Sequence, residues 1–310
     1  MKKGLITSIL VLTFGGVQAQ PLPEAPKLVV TLTIDQLRTD YLENFSPLYG
    51  ERGFKRLLRE GKVYRQMEMP FDKPDRSSGI ATLCTGCTPS THGIIANRWM
   101  DITTLTPRSC VDDPDYMGYS TDLNSSPSRM LTSTVADELK IATRNAGKVY
   151  AIAPFRDAAI LNAGHAGDGA FWINEVTGKW CGTTYYKDFP EWLSRYNDSC
   201  SVDFRIKNME WTPLRPMTDY KYLPDWRTEA FKYLFTNEKE NKFRRLKLSP
   251  MANDEVNLLT AELLEKSGMG KDDVTDLLSL TFYAGNYNHY STRECAMEMQ
   301  DTYVRLDRSI

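Results

Sequence analysis

Residues 27–35 read KLVVTLTID, and this short run decides the fold class. It is apolar and β-branched without alternation, as in a strand buried on both faces of a parallel sheet. The run ends at Ile34-Asp35, which leaves a carboxylate at the strand's carboxyl end. Further along, Gly53-Phe54-Lys55-Arg56-Leu57-Leu58 predicts a short amphipathic helix closed by Gly61. Ser133 or Thr134 can cap a helix with Val135, Leu139 and Ala142 on one face, stopped by Gly147. A second strand follows at 148–153 (KVYAIA). Asn253, Asp254 and Glu255 open another helix, with Val256, Leu259 and Leu263 as its apolar face and Gly268 as its end. Residues 276–282 make a third buried-strand candidate, and from Thr292 the chain turns helical again. Strands alternating with helices predict an α/β fold with an open, doubly wound, mostly parallel sheet. In such sheets the site lies beyond the carboxyl ends of the strands, which is where Asp35 falls.

The amino terminus predicts export. Lys2 and Lys3 precede an apolar run from Leu5 to Phe14, too short to span a bilayer comfortably, and Val17-Gln18-Ala19 has the small residues of a cleavage site. Residues 1–19 are expected to be a signal peptide and the mature protein to be periplasmic or secreted, with no later membrane span. The stretch from 20 to 310 exceeds the ~150 residues usual for a domain. It suits one large α/β domain carrying an aromatic-rich cap at about 172–248, a segment with little periodicity of the kind that carries substrate contacts. A net charge of −2 and the lack of any Lys/Arg block give no electrostatic case for a nucleic-acid partner. Export permits disulfides, and Cys181 with Cys200 brackets a plausible bridge. Cys84 and Cys87 form a lone C-x-x-C, better read as a disulfide or buried thiols than as a zinc site.

The loop Pro74-Asp75-Arg76-Ser77-Ser78-Gly79 enters a helix. A hydroxyl at a helix N-terminus can meet or attack a phosphoryl group, so Ser77 or Ser78 is either a nucleophile or simply an N-cap. Several blocks then resemble one family. VVTLTIDQLRTDYL, GFKRLLREG, P-x-x-S, TLCTGCTPSTHGIIANRW, AILNAGHAGDGAFWI, GKDDVTDLLSLTF and MQDTYVRLDRSI together are similar to the alkaline phosphatase superfamily. Within it they resemble the type I phosphodiesterase/nucleotide pyrophosphatase branch and the single-Thr alkaline phosphatases of Bacteroidetes. The resemblance implies a two-zinc phosphoryl-transfer site acting on a phosphate-ester small molecule. Asp35 would hold one zinc, and Ser77 would be the nucleophile if the comparison is anchored on Pro74. Counting back from Thr85-Gly86 instead puts Arg76 at the nucleophile's place. Asn97 would hydrogen-bond a phosphate oxygen, while His92 and His165 would be structural.

The same comparison exposes departures. Where the phosphatases place a phosphate-holding Lys-x-Arg pair, this chain has Phe155 and Asp157, with Arg156 as the nearby cation. An expected Asp-x-x-x-His pair of zinc ligands falls on Ala284 and Asn288, with His289 one step away. The resemblance implies that a complete site of that family takes three Asp and three His as zinc ligands, and this chain has three His in all. It also stops at Ile310 inside the helix after which a late ligand is expected. That ending predicts Met299, Leu306 and Ile310 left without cover, in an aggregation-prone chain. Two readings follow: a zinc hydrolase using Ser77, Asn97, Arg156, Asp35 and His289, or a non-catalytic relative that is either a truncated gene product or a binding protein. The missing ligands favour the second.

Overall fold

The strand read first, β1 (Leu28–Asp35), pairs in parallel along its whole length with β10 (Asp276–Tyr283), bringing Asp35 level with Tyr283 at the carboxyl ends. The computed structural model describes residues 24–310 except 187, 238, 239, 286 and 288–290. The predicted signal peptide therefore lies outside the described residues, as do Asn288 and His289. Between those two strands the chain forms β2 (Arg98–Asp101), β3 (Thr106–Ser109), β4 (Gly118–Tyr119), β5 (Val149–Ala153), β6 (Gly169–Ile173), β7 (Trp180–Thr183), β8 (Glu210–Trp211) and β9 (Tyr233–Leu234). The central sheet runs β1-β10-β5-β6-β7-β4, parallel through β6 and antiparallel at β7 and β4.

Helices cover both faces. In chain order they are α1 (Thr39–Asn44), α2 (Phe54–Glu60), α3 (Arg76–Thr85), α4 (Pro89–His92), α5 (Val135–Ala142), α6 (Arg156–Ala163), α7 (Glu191–Ser199), α8 (Val202–Arg205), α9 (Lys242–Lys247), α10 (Met251–Ser267) and α11 (Ala296–Ser309). The period-2 alternation of strand side chains sorts the core into two parts. Ile152, Phe171, Ile173, Leu278, Leu280 and Phe282 join Val256, Leu259 and Leu263 of α10 and the buried face of α11. Ala151, Ala153, Ala170, Trp172 and Tyr283 join Ile80 and Ala81 of α3 and the apolar run of α6. This is the mixed, mostly parallel α/β architecture that the alternating pattern predicts.

Four details differ from the sequence reading. β1 is parallel but stands at the edge of the described sheet, half-buried, with Val30 51% exposed; its neighbour β10 is buried at every residue, as are β6 and β7. The helix α5 does not bury the face predicted for it, since Val135 is exposed and Ala136, Asp137 and Lys140 are inside. Polar partners hold that face: Lys140 Nζ donates to Asp168 at 2.8 Å and to the Gly147 carbonyl at 2.9 Å. The aromatic-rich stretch gives its first residues to the sheet as the end of β6 and as β7. All six cysteines are free. Cys181 is buried in β7 while Cys200 is exposed at the end of α7, so no 181–200 bridge forms; of the two readings of Cys84 and Cys87, the structure has the free thiols, both half-buried.

The last helix is also covered, contrary to the expectation drawn from its sequence. Met299 and Leu306 are buried, and Ile310 packs against the same core. Buried carboxylates of α11 organise what lies over them. Asp307 accepts from the backbone N–H groups of Gly50 and Phe54 at 2.7 and 2.8 Å, capping α2 from the far end of the chain. Asp301 accepts from Trp211 Nε1 (2.6 Å), Leu214 N (2.7 Å), Tyr220 Oη (2.7 Å) and Arg305 Nε (2.8 Å), docking the aromatic segment onto the helix. Among the described residues no helix is long and apolar enough to cross a membrane.

Candidate functional site

The parallel sheet delivers β1 and β5 to one end, and α3 and α6 begin there. The start of α3 is fixed by Asp75, which caps it: the Asp75 carboxylate accepts from Ser78 N at 2.9 Å and from Ser78 Oγ at 2.8 Å, in a reciprocal capping box. Capping therefore belongs to Asp75, and Ser78 is its partner. Arg76 is then the first helical residue and Ser77 the second. Asp75 also accepts from Asn97 N at 2.5 Å, which ties the loop before β2 to this helix end.

One helical step separates two opposite fates. The Arg76 side chain reaches across to Asp35, with Nη1 3.3 Å from Oδ2. Its Nε and Nη2 donate to the two Asp157 oxygens at 2.8 and 3.3 Å. Its guanidinium carbon also lies 3.8 Å from the centre of the Phe155 ring. Ser77 turns inward and is fully buried, donating its hydroxyl to Asp157 at 2.7 Å. Asn97 Nδ2 donates to the same Asp157 oxygen at 3.0 Å. Four donors thus converge on one buried carboxylate at the start of α6.

The electrostatics follow. Burial opposes the charge on Asp157, but Arg76 and Ser77 outweigh it and hold its pKa below the ordinary value. Burial likewise opposes the Arg76 charge, and the two aspartates overcome it to raise the guanidinium pKa. Asp35 is pushed up by burial, with Arg76 pulling the other way. Lys247 Nζ lies 4.9 Å from the same Phe155 ring, is buried, and pairs with Glu175 at 2.9 Å. Outside this network a cleft of about 580 Å³ opens beside the end of β1, lined by Asp35, Gln36, Met69, Arg76, Leu83 and Asn97.

Asp35, Ser77 and Asn97 are thus brought together, joined through Arg76 and Asp157. Arg156 is not among them. Its Nη2 pairs with Asp112 at 2.6 Å and its Nη1 donates to Ser125 Oγ at 2.9 Å, so it is spent on the loop before β4 and its return. The position facing Asp35 is Arg76, the residue reached by counting back from Thr85-Gly86. Lys247 had no local sequence signal, because it lies far along the chain at the end of α9. His92 accepts from Ile94 N at 3.1 Å and meets Thr82 Oγ1 at 3.0 Å, both inside the fold. His165 sits between Asp137 (3.1 Å) and the Met130 carbonyl (2.8 Å).

The two zinc ions implied by the resemblance do not fit this donor set. Among the described residues no group of three or more His, Cys, Asp or Glu is placed to hold a metal ion. Asp35, the carboxylate at the strand end, already faces a guanidinium, and Ala284 stands where a further carboxylate is expected. A metal centre needs several deprotonated donors turned to one point, and here the donors turn to Arg76.

Comparison with known proteins agrees with the fold. A family model described as type I phosphodiesterase/nucleotide pyrophosphatase matches residues 29–310. The chain is 31% identical over 326 residues to alkaline phosphatase PafA of Elizabethkingia meningoseptica, covering 100% of this chain and 60% of that protein. It is 32% identical over 327 residues to a Myroides odoratus protein named calcium-transporting ATPase, again covering 100% of this chain and 60% of the relative. Identity is 29% to alkaline phosphatase PhoV of Synechococcus elongatus, covering 92% of this chain and 54% of that one. The crystal structure of wild-type PafA superposes with a TM-score of 0.82 at 31% identity, over 94% of this chain and 59% of that one. The chain therefore spans little more than half the length of these relatives.

Proposed function

The chain belongs to the type I phosphodiesterase/nucleotide pyrophosphatase family, and from that membership we propose that it is an exported, non-hydrolytic relative of phosphate-ester hydrolases that acts through binding. One observation carries this reading. The hydroxyl that would attack phosphorus is buried and donates to Asp157, and Asp157 stands where the resemblance places a phosphate-holding arginine. A phosphate dianion entering here meets the Asp157 and Asp35 carboxylates. Each like-charge pair at ~4 Å costs about 4 kcal/mol at an effective dielectric of ~20. Arg76 is already shared between those two groups. The surface left for a ligand is the cleft beside β1, and export rests on the pattern of residues 1–19.

The hydrolase reading keeps one point in its favour. Asp35 and Asn97 stand at the right end of the sheet, beside the N-terminus of a ten-residue helix. On that reading Ser77 attacks, Asn97 and Arg156 hold phosphate, and Asp35 and His289 ligate zinc. Arg156 is committed to Asp112 and Ser125, which counts against it. The deciding experiment is hydrolysis of p-nitrophenyl phosphate and bis-p-nitrophenyl phosphate with added zinc. The expected result is no turnover above buffer, unchanged in Ser77→Ala. Turnover that Ser77→Ala abolishes would overturn the proposal.

A further inference from the structure

We propose that the Arg76 guanidinium is a tethered cation standing in the place of a metal ion, and that removing it uncovers a divalent-cation site between Asp35 and Asp157. This deepens the non-hydrolytic reading and shares its geometry, but it is tested by a different readout. Two carboxylates from separate elements, the end of β1 and the first turn of α6, are turned toward one space. Each carboxylate side chain is only 8% exposed. Two buried like charges aimed at one point are costly unless a cation lies between them. That cation is Arg76, at 3.3 Å from Asp35 and 2.8 Å from Asp157.

The seat is built around the guanidinium. Phe155, two residues before Asp157, supplies a ring 3.8 Å from it, and Asp75 sets the helix start that aims it. Arg suits the role because it stays charged and offers a planar fork to two carboxylates at once. Without it, the space keeps two carboxylates, while the Asn97 Nδ2 amino group and the Ser77 hydroxyl stay as hydrogen-bond donors that hold Asp157 in place. Carboxylate oxygens suit Mg²⁺ or Mn²⁺ with water completing the shell.

The test is thermal melting of the full chain, wild type, Arg76→Ala and Arg76→Ala/Asp157→Asn, in chelator and in millimolar Mg²⁺ or Mn²⁺. Wild type is expected to melt at the same temperature in all buffers. Arg76→Ala should melt lower in chelator and recover by about 3 °C or more with cation. The double variant should lose that response, because one of the two charges is gone. The proposal is overturned if Arg76→Ala equals wild type in chelator, if neither cation shifts it, or if wild type gains as much. Should Arg76→Ala fail to fold even with cation, the double variant decides: a folded, cation-insensitive protein supports the proposal, and a second failure refutes it. Turnover of phosphate esters by wild type would sink the non-hydrolytic reading and leave the melts to judge Arg76 alone.

Discussion

Replacing Asp301 by alanine tests how the aromatic segment is held to the fold. Its carboxylate is fully buried on α11 and accepts from Trp211 Nε1, Leu214 N and Tyr220 Oη as well as from Arg305. The alanine variant orphans three donors, two of them on the buried Trp211 and Tyr220. An unsatisfied buried donor costs ~1–3 kcal/mol. Arg305 keeps one outlet, since its Nη2 donates to the Thr212 carbonyl at 2.7 Å. Allowing for that and for partial relaxation, we expect a loss of about 4–6 kcal/mol, comparable with the whole stability of a marginal domain. Asp301→Asn keeps one carbonyl oxygen as acceptor and should lose about half as much. The assay is urea unfolding followed by tryptophan fluorescence, in which Trp211 is an internal reporter, with thermal melts alongside. A fall in Tm of about 10 °C or more is expected for the alanine variant. A loss below about 1 kcal/mol, or equal losses for alanine and asparagine, would refute this account of the docking.

Three further expectations concern backbone and charge. Gly178 has φ +71°, and a Cβ there would lie 2.2 Å from the Phe243 ring, whereas Gly86, at φ +69°, has nothing within 4 Å of that position. Gly178→Ala should therefore cost about 2–3 kcal/mol and Gly86→Ala only about 1 kcal/mol, read as a difference in melting temperature; equal losses would show that the Phe243 contact is irrelevant. Burial opposes the Asp137 charge, yet His165 and backbone donors from Thr134 and Ala166 bring its pKa down from 3.8 to about 2. A depressed carboxylate stabilises the fold above its ordinary value, so this contribution should be lost as pH falls from about 4 through about 2. His165 is raised above 6.5 by its bond to Asp137, so its contribution is present below that value and disappears as pH rises through the folded pKa. His165→Gln should remove the alkaline limb of the stability profile, and an unchanged limb would count against the pairing.

The fold was legible because its signals are local and repeated. The run at 27–35, the strand at 276–282 and the Val256, Leu259 and Leu263 stripe all appear where period and composition put them. What could not be read was set by partners distant in sequence. The inner face of α5 depends on Asp168 and His165, so the apolar stripe was the wrong guide there. The cover over α11 depends on Trp211, Leu214 and Tyr220, which lie in the stretch with least periodicity. At the site the uncertainty came down to one residue. Whether Ser77 or Arg76 faces Asp35 is decided by which side chain caps α3, and serines compete with aspartate for that place. Once Asp75 takes it, Ser77 must turn inward and Arg76 must face the strand end.

The substituted positions make sense as a set. Against the pattern that the resemblance implies, Asp157 alone would bury an uncompensated carboxylate, and breaking such a pair costs ~3–5 kcal/mol. Arg76 alone would place a guanidinium beside a phosphate-holding arginine, with only Asp35 to balance it. Together they satisfy each other, and Ser77 and Asn97 complete the acceptor capacity of Asp157. The same logic extends one layer out. Phe155, lacking the amine of the lysine expected there, has Lys247 4.9 Å from its ring, and Lys247 is in turn paired with Glu175. Arg76 and Lys247 thus stand against the start of α6, whose first turn carries the Asp157 carboxylate. Accumulated damage would leave buried charges without partners, whereas this network leaves every one of these groups paired. On the non-hydrolytic reading proposed above, this is a site rebuilt around an internal cation, and Arg76 is the residue on which it closes.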